Sequence, residues 1–205
     1  MNVYVESNFV LELALMQEQY ESCSKLVELA ESKHIKLIIP AFSLAEPYET
    51  LIRAEKRRRR LSELSNEIRT ELKQLERSQN YQQSISALQE EIGEFLVQSQ
   101  EEEKQRLQTT LIQLLDLVEI IPLSSEVLRT AIHSQVNLSL SPQDSIVYSS
   151  ILIYLQNLLE DKPNCFLNRN SKDFSNPTII DELKGYNCRL LFRFDDGLGY
   201  IQSQI

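Results

Sequence analysis

Asn2-Val3-Tyr4-Val5-Glu6-Ser7-Asn8 decides how the chain is read. Three strand-forming residues run into an acid, and from Phe9 to Leu29 apolar residues recur at helical spacing. The unit is a strand, a carboxylate at its end, and a helix. Ile35-Lys36-Leu37-Ile38-Ile39-Pro40 begins it again, with proline stopping the strand and a helix from Ser43 to Arg53. Val118-Glu119-Ile120-Ile121-Pro122 is a third strand, ahead of a helix through Ser125 to Ser134. Ser141-Pro142-Gln143-Asp144 opens an apolar helix through Leu159. Cys165-Phe166-Leu167 and Arg189-Leu190-Leu191-Phe192 are the fourth and fifth strands. Strands separated by helices demand right-handed crossovers, so the expected fold is three-layer α/β/α with a central parallel sheet.

Four acids, Glu6, Glu46, Asp144 and Asp173, fall where a strand ends or a helix begins. Carboxylates crowded at one sheet edge repel unless a cation lies between them, which makes magnesium or manganese the expected cofactor. Each acid also has a plainer reading. Ser141 with Asp144 and Ser43 with Glu46 have the spacing of capping pairs, Asp173 can cap a turn before Phe174, and Glu6 can end a strand in solvent.

Between Leu51 and Leu117 the rhythm changes. Leu61, Leu64, Ile68, Leu72 and Leu75 form one apolar stripe, and Ile85, Leu88, Ile92 and Leu96 continue it beyond a polar break at Ser78-Gln79-Asn80. Two long helices turning back as an antiparallel hairpin fit this spacing, reaching on the order of 40 Å at 1.5 Å per residue, with Gly93 a local weak point. The expected division is therefore an α/β domain of residues 1–50 and 115–205 carrying an inserted hairpin, 51–114. The narrow stripe suits a two-helix seam and a homodimer contact.

A net charge of −9, from 21 basic and 30 acidic residues, argues against a purely charge-driven nucleic-acid binder. Residues 51–110 hold 11 basic and 11 acidic side chains, which leaves 10 basic against 19 acidic in the remainder. Within that neutral segment Arg53-Ala54-Glu55-Lys56-Arg57-Arg58-Arg59-Arg60 is a dense basic run, read either as phosphate-contacting or as a solvated face paired at i,i+4 with Glu49, Glu63 and neighbours. The four glycines make no phosphate-cradling pattern, and no GxSxG elbow is present. His34 and His133 lack metal-ligand spacing, and Cys23, Cys165 and Cys188 are expected as buried free thiols. No apolar run is long enough for a membrane span and the N-terminus has no signal-peptide pattern, so no membrane partner and a cytoplasmic location are expected.

The ordered acids resemble the PIN domain family, the PilT N-terminal fold of metal-dependent ribonucleases that includes many toxins of toxin–antitoxin pairs. Val3-Tyr4-Val5-Glu6-Ser7-Asn8 matches that family's strand followed by Asp-x-Asn, with Glu6 in the aspartate's place. Glu46 matches its glutamate after the second strand, Asp144 its aspartate opening an apolar helix, and Asn168-Arg169-Asn170-Ser171-Lys172-Asp173-Phe174 its final segment, with Asn168 where a small hydroxyl residue is usual. The resemblance implies hydrolysis of single-stranded RNA at a magnesium or manganese site. It assigns metal binding to Glu6, Asp144 and Asp173, metal or water positioning to Glu46, and support to Asn8, Asn168 and Asn170. It also makes an antitoxin-like protein a possible partner. Arg53, Lys56, Arg57 and Arg169 are the expected phosphate contacts. The competing expectation is a PIN-like scaffold of weak or no activity whose hairpin binds a protein partner or dimerises, and a third reading is a structure-selective DNA nuclease.

Overall fold

The computed structural model describes residues 1–75, 82–158 and 162–205. Five strands form one sheet: β1 (Asn2–Val5), β2 (Lys36–Pro40), β3 (Glu119–Ile121), β4 (Asn164–Leu167) and β5 (Cys188–Leu191). Their spatial order is β3-β2-β1-β4-β5 and every pairing is parallel, with Tyr4 opposite Ile38 on one side and Phe166 on the other. β1 and β4 are buried along their whole length, as parallel strands covered on both faces should be.

Side chains alternate between the two faces. Tyr4, Ile38, Phe166 and Cys188 join a buried cluster with Val147, Tyr148, Ile151 and Leu155 of α6 (Pro142–Gln156) and Ile179 and Leu183 of α8 (Pro177–Gly185). The opposite set, Val3, Val5, Leu37, Ile39, Cys165 and Leu167, is equally buried. This second face is covered by α1 (Ser7–Leu15), α2 (Tyr20–Glu31) and α9 (Phe194–Gln202), where Phe9 and Phe194 meet edge to face with ring centroids 5.6 Å apart. The three-layer arrangement is thus the expected one.

Local differences have local causes. The single helix expected from Phe9 to Leu29 is two, because Met16 takes a left-handed conformation (φ 50°) that ends α1. β2 stops at Pro40 as expected, opposite Ile121, but α3 (Ala41–Leu75) starts on the next residue, two before Ser43. Pro47 lies inside α3, where it removes one backbone donor without ending the helix. α5 (Ser125–Leu138) runs four residues beyond Ser134, and α6 stops at Gln156, with Leu159 outside the described residues. The short α7 (Ser171–Phe174), α8 and α9 were not expected.

Residues Met1–Pro47 and Leu107–Ile205 form one compact unit and Tyr48–Arg106 another. In the second unit α3 and α4 (Gln82–Leu117) run past each other, joined by an Arg58–Glu103 ion pair at 2.6 Å. Leu61, Leu64 and Ile68 are about half exposed there. The break at Ser78-Gln79-Asn80 and the side chains of Leu72, Leu75, Ile85, Leu88, Ile92 and Leu96 lie outside the described residues. α4 continues through Gly93 without interruption. The three cysteines are free and buried. No helix among the described residues is long and apolar enough to cross a membrane.

Candidate functional site

The strand order places a crevice before any side chain is considered. The chain leaves β1 toward β2 on one side, while β4 adds on the other, so the helices that follow these neighbouring strands diverge at their carboxyl ends. Open parallel sheets bind ligands at such switch points. Glu6 is the residue after β1, and Asn168 is the residue after β4.

Glu6 is 5% exposed and serves as the N-cap of α1, its Oε2 accepting from the Asn8 backbone N–H at 2.9 Å and from Ser7 Oγ at 3.1 Å. The Ser7 hydroxyl also makes a short hydrogen bond to Glu46, so one serine ties β1 to the second turn of α3. Burial pushes the Glu6 carboxyl up from 4.5 to about 7; hydrogen bonds from Asn8 and Ser7 pull it back, and the charge on Glu46 adds to the rise. Glu6 Oε1 is buried with no hydrogen-bond partner, and so is Ser43 Oγ. The capping pair expected between Ser43 and Glu46 therefore does not form.

The other two acids make a second pair. Ser141 and Asp144 do form the expected cap, with Ser141 Oγ accepting from the Asp144 backbone N–H at 3.1 Å and donating to its Oδ2 at 2.6 Å. Asn170 Nδ2 lies 3.2 Å from both carboxylate oxygens of Asp144 and 2.8 Å from Asp173 Oδ2. Asn168, 2% exposed, turns its Oδ1 back onto the Asn170 backbone N–H at 2.6 Å. The acids thus reach the carboxyl edge of the sheet as two pairs, Glu6 with Glu46 and Asp144 with Asp173. Among the described residues no three His, Cys, Asp or Glu side chains converge closely enough to hold an ion. Their chemistry nevertheless fits magnesium or manganese: every donor is a hard oxygen, and Glu6 Oε1, buried without a donor, would be favoured in its ionised form by a cation beside it.

A family model described as the PIN domain matches residues 3–174. The chain belongs to the PIN domain family. That span runs from β1 to the end of α7 and so contains all four acids. Among solved structures, the chain is similar to the crystal structure of VapBC2 from Rickettsia felis bound to a DNA fragment from their promoter, at 15% identity and a TM-score of 0.47, covering 93% of this chain and 98% of that chain. No curated protein matches the chain in sequence.

The basic residues divide between the two units. In the second, Arg53, Lys56 and Arg57 are exposed, Arg53 donates to the Glu49 carbonyl, and Arg59 pairs with Glu55 rather than Glu63. In the first, Arg169 bonds the carboxylate of Glu12 and reaches Glu18 at 3.3 Å. Glu12, fully buried, went unnoticed in the sequence, as did Ser7 and Gln19. An acid inside the apolar run Phe9-Val10-Leu11-Glu12-Leu13-Ala14-Leu15 was the available signal. Its partner, 157 positions away, was not legible.

Proposed function

We propose that this PIN-domain protein is a metal-dependent ribonuclease that hydrolyses phosphodiester bonds of single-stranded RNA, in the manner of the toxin-like members of its family. The observation that supports the reading is the buried Glu6 Oε1, which has no hydrogen-bond donor, directly after the central strand β1, with Glu46 tied to the same Ser7 hydroxyl and Asp144 and Asp173 sharing Asn170 after β4. Glu6, Asp144 and Asp173 would hold magnesium or manganese, which when bound lowers the pKa of water and offsets charge building on the phosphate. Glu46, fixed by the Ser7 hydroxyl, orients the attacking water. Asn170 keeps Asp144 and Asp173 together, and Asn168 sets the turn that carries Asn170. Arg53, Lys56 and Arg57 supply phosphate contacts, and an antitoxin-like protein is the partner that would silence the site.

A second reading has its own support. The acids stand as two pairs rather than one cluster, and Leu61, Leu64 and Ile68 expose an apolar stripe, as a catalytically inactive scaffold that binds a partner or dimerises through α3 and α4 would. Cleavage of a single-stranded RNA oligonucleotide, with manganese and then with excess EDTA, separates the two. The nuclease cuts only with manganese; an inactive scaffold cuts in neither condition.

A further inference from the structure

Arg169, expected from the sequence as a phosphate contact, sits between Asn168 and Asn170, the residues that set the turn after β4. Its guanidinium, 32% exposed, is engaged by acids of the chain itself. It bonds Glu12, which is 0% exposed, and Glu12 Oε2 also accepts from the Gln19 backbone N–H at 2.7 Å. A carboxylate taken wholly out of water stays there only with a paired cation and hydrogen-bond donors, so the Glu12 pairing is an obligate one. Glu18, 63% exposed, is the weaker arm at 3.3 Å.

We propose that Glu12 and Arg169 form a positioning lock: the buried carboxylate fixes Arg169, Arg169 fixes the Asn168–Asn170 turn, and Asn170 thereby holds Asp144 and Asp173 in register. The cleavage part of this proposal rests on the nuclease reading above. Several contacts transmit the position. The Asn168 backbone N–H donates to the Leu191 carbonyl at 3.0 Å, the Arg169 carbonyl accepts from the Ser171 N–H at 3.0 Å, and Asn168 Oδ1 closes the turn on the Asn170 N–H. At the end of that path one amide group, with two hydrogens, serves three carboxylate oxygens within 3.2 Å. Such a three-way contact is lost with a small shift of the turn, and both acids then move independently. The expected role of Arg169 therefore changes from touching substrate to supporting the residues that do.

The test compares Glu12→Gln, Arg169→Lys, the double variant and Glu18→Gln, each checked for folding by circular dichroism. In metal-free protein, the side-chain amide resonances of Asn170 should shift or broaden in Glu12→Gln and Arg169→Lys and stay in place in Glu18→Gln. With manganese and a single-stranded RNA oligonucleotide, kcat should fall about 10–100-fold in either single variant with KM within about twofold, and the double variant should be no worse than the singles. Unmoved Asn170 resonances in a folded Glu12→Gln protein overturn the lock. So does a rise in KM confined to Arg169→Lys, which would restore the phosphate contact. If Glu12→Gln does not fold, Arg169→Lys decides by the same readings. Should the unaltered protein cleave nothing, the nuclease reading fails, and the Asn170 resonances alone still settle the lock.

Discussion

At the scale of the residue, Glu6 carries a measurable consequence. Its carboxyl is raised by burial from 4.5 to about 7, so between those values the folded chain binds the proton more tightly than the unfolded chain does. Stability of the metal-free protein is accordingly unpenalised below pH 4.5 and falls as the pH rises through 7, by about 3 kcal/mol at roughly 1.4 kcal/mol per unit. Glu6→Gln cannot ionise and should abolish that decline. Urea denaturation in EDTA from pH 4.5 to 8 checks it, and parallel stability curves for the two proteins would contradict the burial of a charge. The sequence marked Glu6 as important through its place at a strand end, but the plain alternative, an acid ending a strand in solvent, could be dismissed only once its 5% exposure was seen. Glu12 shows the reverse case. Its apolar neighbours flagged it as unusual, yet nothing local in the chain points to Arg169.

At the scale of the element, the helices at the end of the chain were the least legible, and they are held by contacts from distant positions. α9 has no capping side chain of its own; Gln19 Oε1 accepts from the Phe194 and Asp195 backbone N–H groups at 2.6 and 3.3 Å. Gln19→Ala removes that cap and should cost about 1 kcal/mol, read as a lower urea midpoint at unchanged slope. α9 also approaches the sheet closely at Gly197, where an added Cβ would meet Leu167 Cδ2 at 2.4 Å. Leu167 is fully buried and cannot swing clear, so Gly197→Ala should destabilise by about 1–3 kcal/mol. At Gly199 nothing lies within 4 Å, and Gly199→Ala should stabilise by up to about 1 kcal/mol. Thermal melts of the pair give opposite signs if α9 packs as described and equal shifts if it does not. The strands, by contrast, were read almost to the residue, because a buried parallel strand is a short apolar run bounded by polar or proline positions. The α1–α2 break escaped notice since helical periodicity continues across Met16, and only its left-handed backbone ends the first helix.

At the scale of the whole molecule, the topology converts order along the chain into neighbourhood in the sheet. β1 and β4 are neighbours despite more than 150 intervening residues, so Glu6 and the turn that carries Asn170 and Asp173 both follow central strands at the carboxyl edge of the sheet. What order could not convey is grouping: one three-carboxylate cluster was expected, whereas the side chains of Ser7 and Asn170 sort the acids into two pairs. The charge pattern carries its own prediction. If Arg53, Lys56 and Arg57 contact RNA phosphates, replacing all three with glutamine should weaken binding of every single-stranded sequence alike and shrink the slope of log affinity against log salt by about 2, as fluorescence anisotropy at several salt concentrations would show. An unchanged slope would leave the run as a solvated helix face. The central claim, that these carboxylates form a metal centre, meets its most direct test in calorimetry with manganese on the intact protein and on Asp144→Asn. The account predicts saturable binding by the first that is lost or strongly weakened in the second; no binding by the intact protein, or equal binding by both, would contradict it.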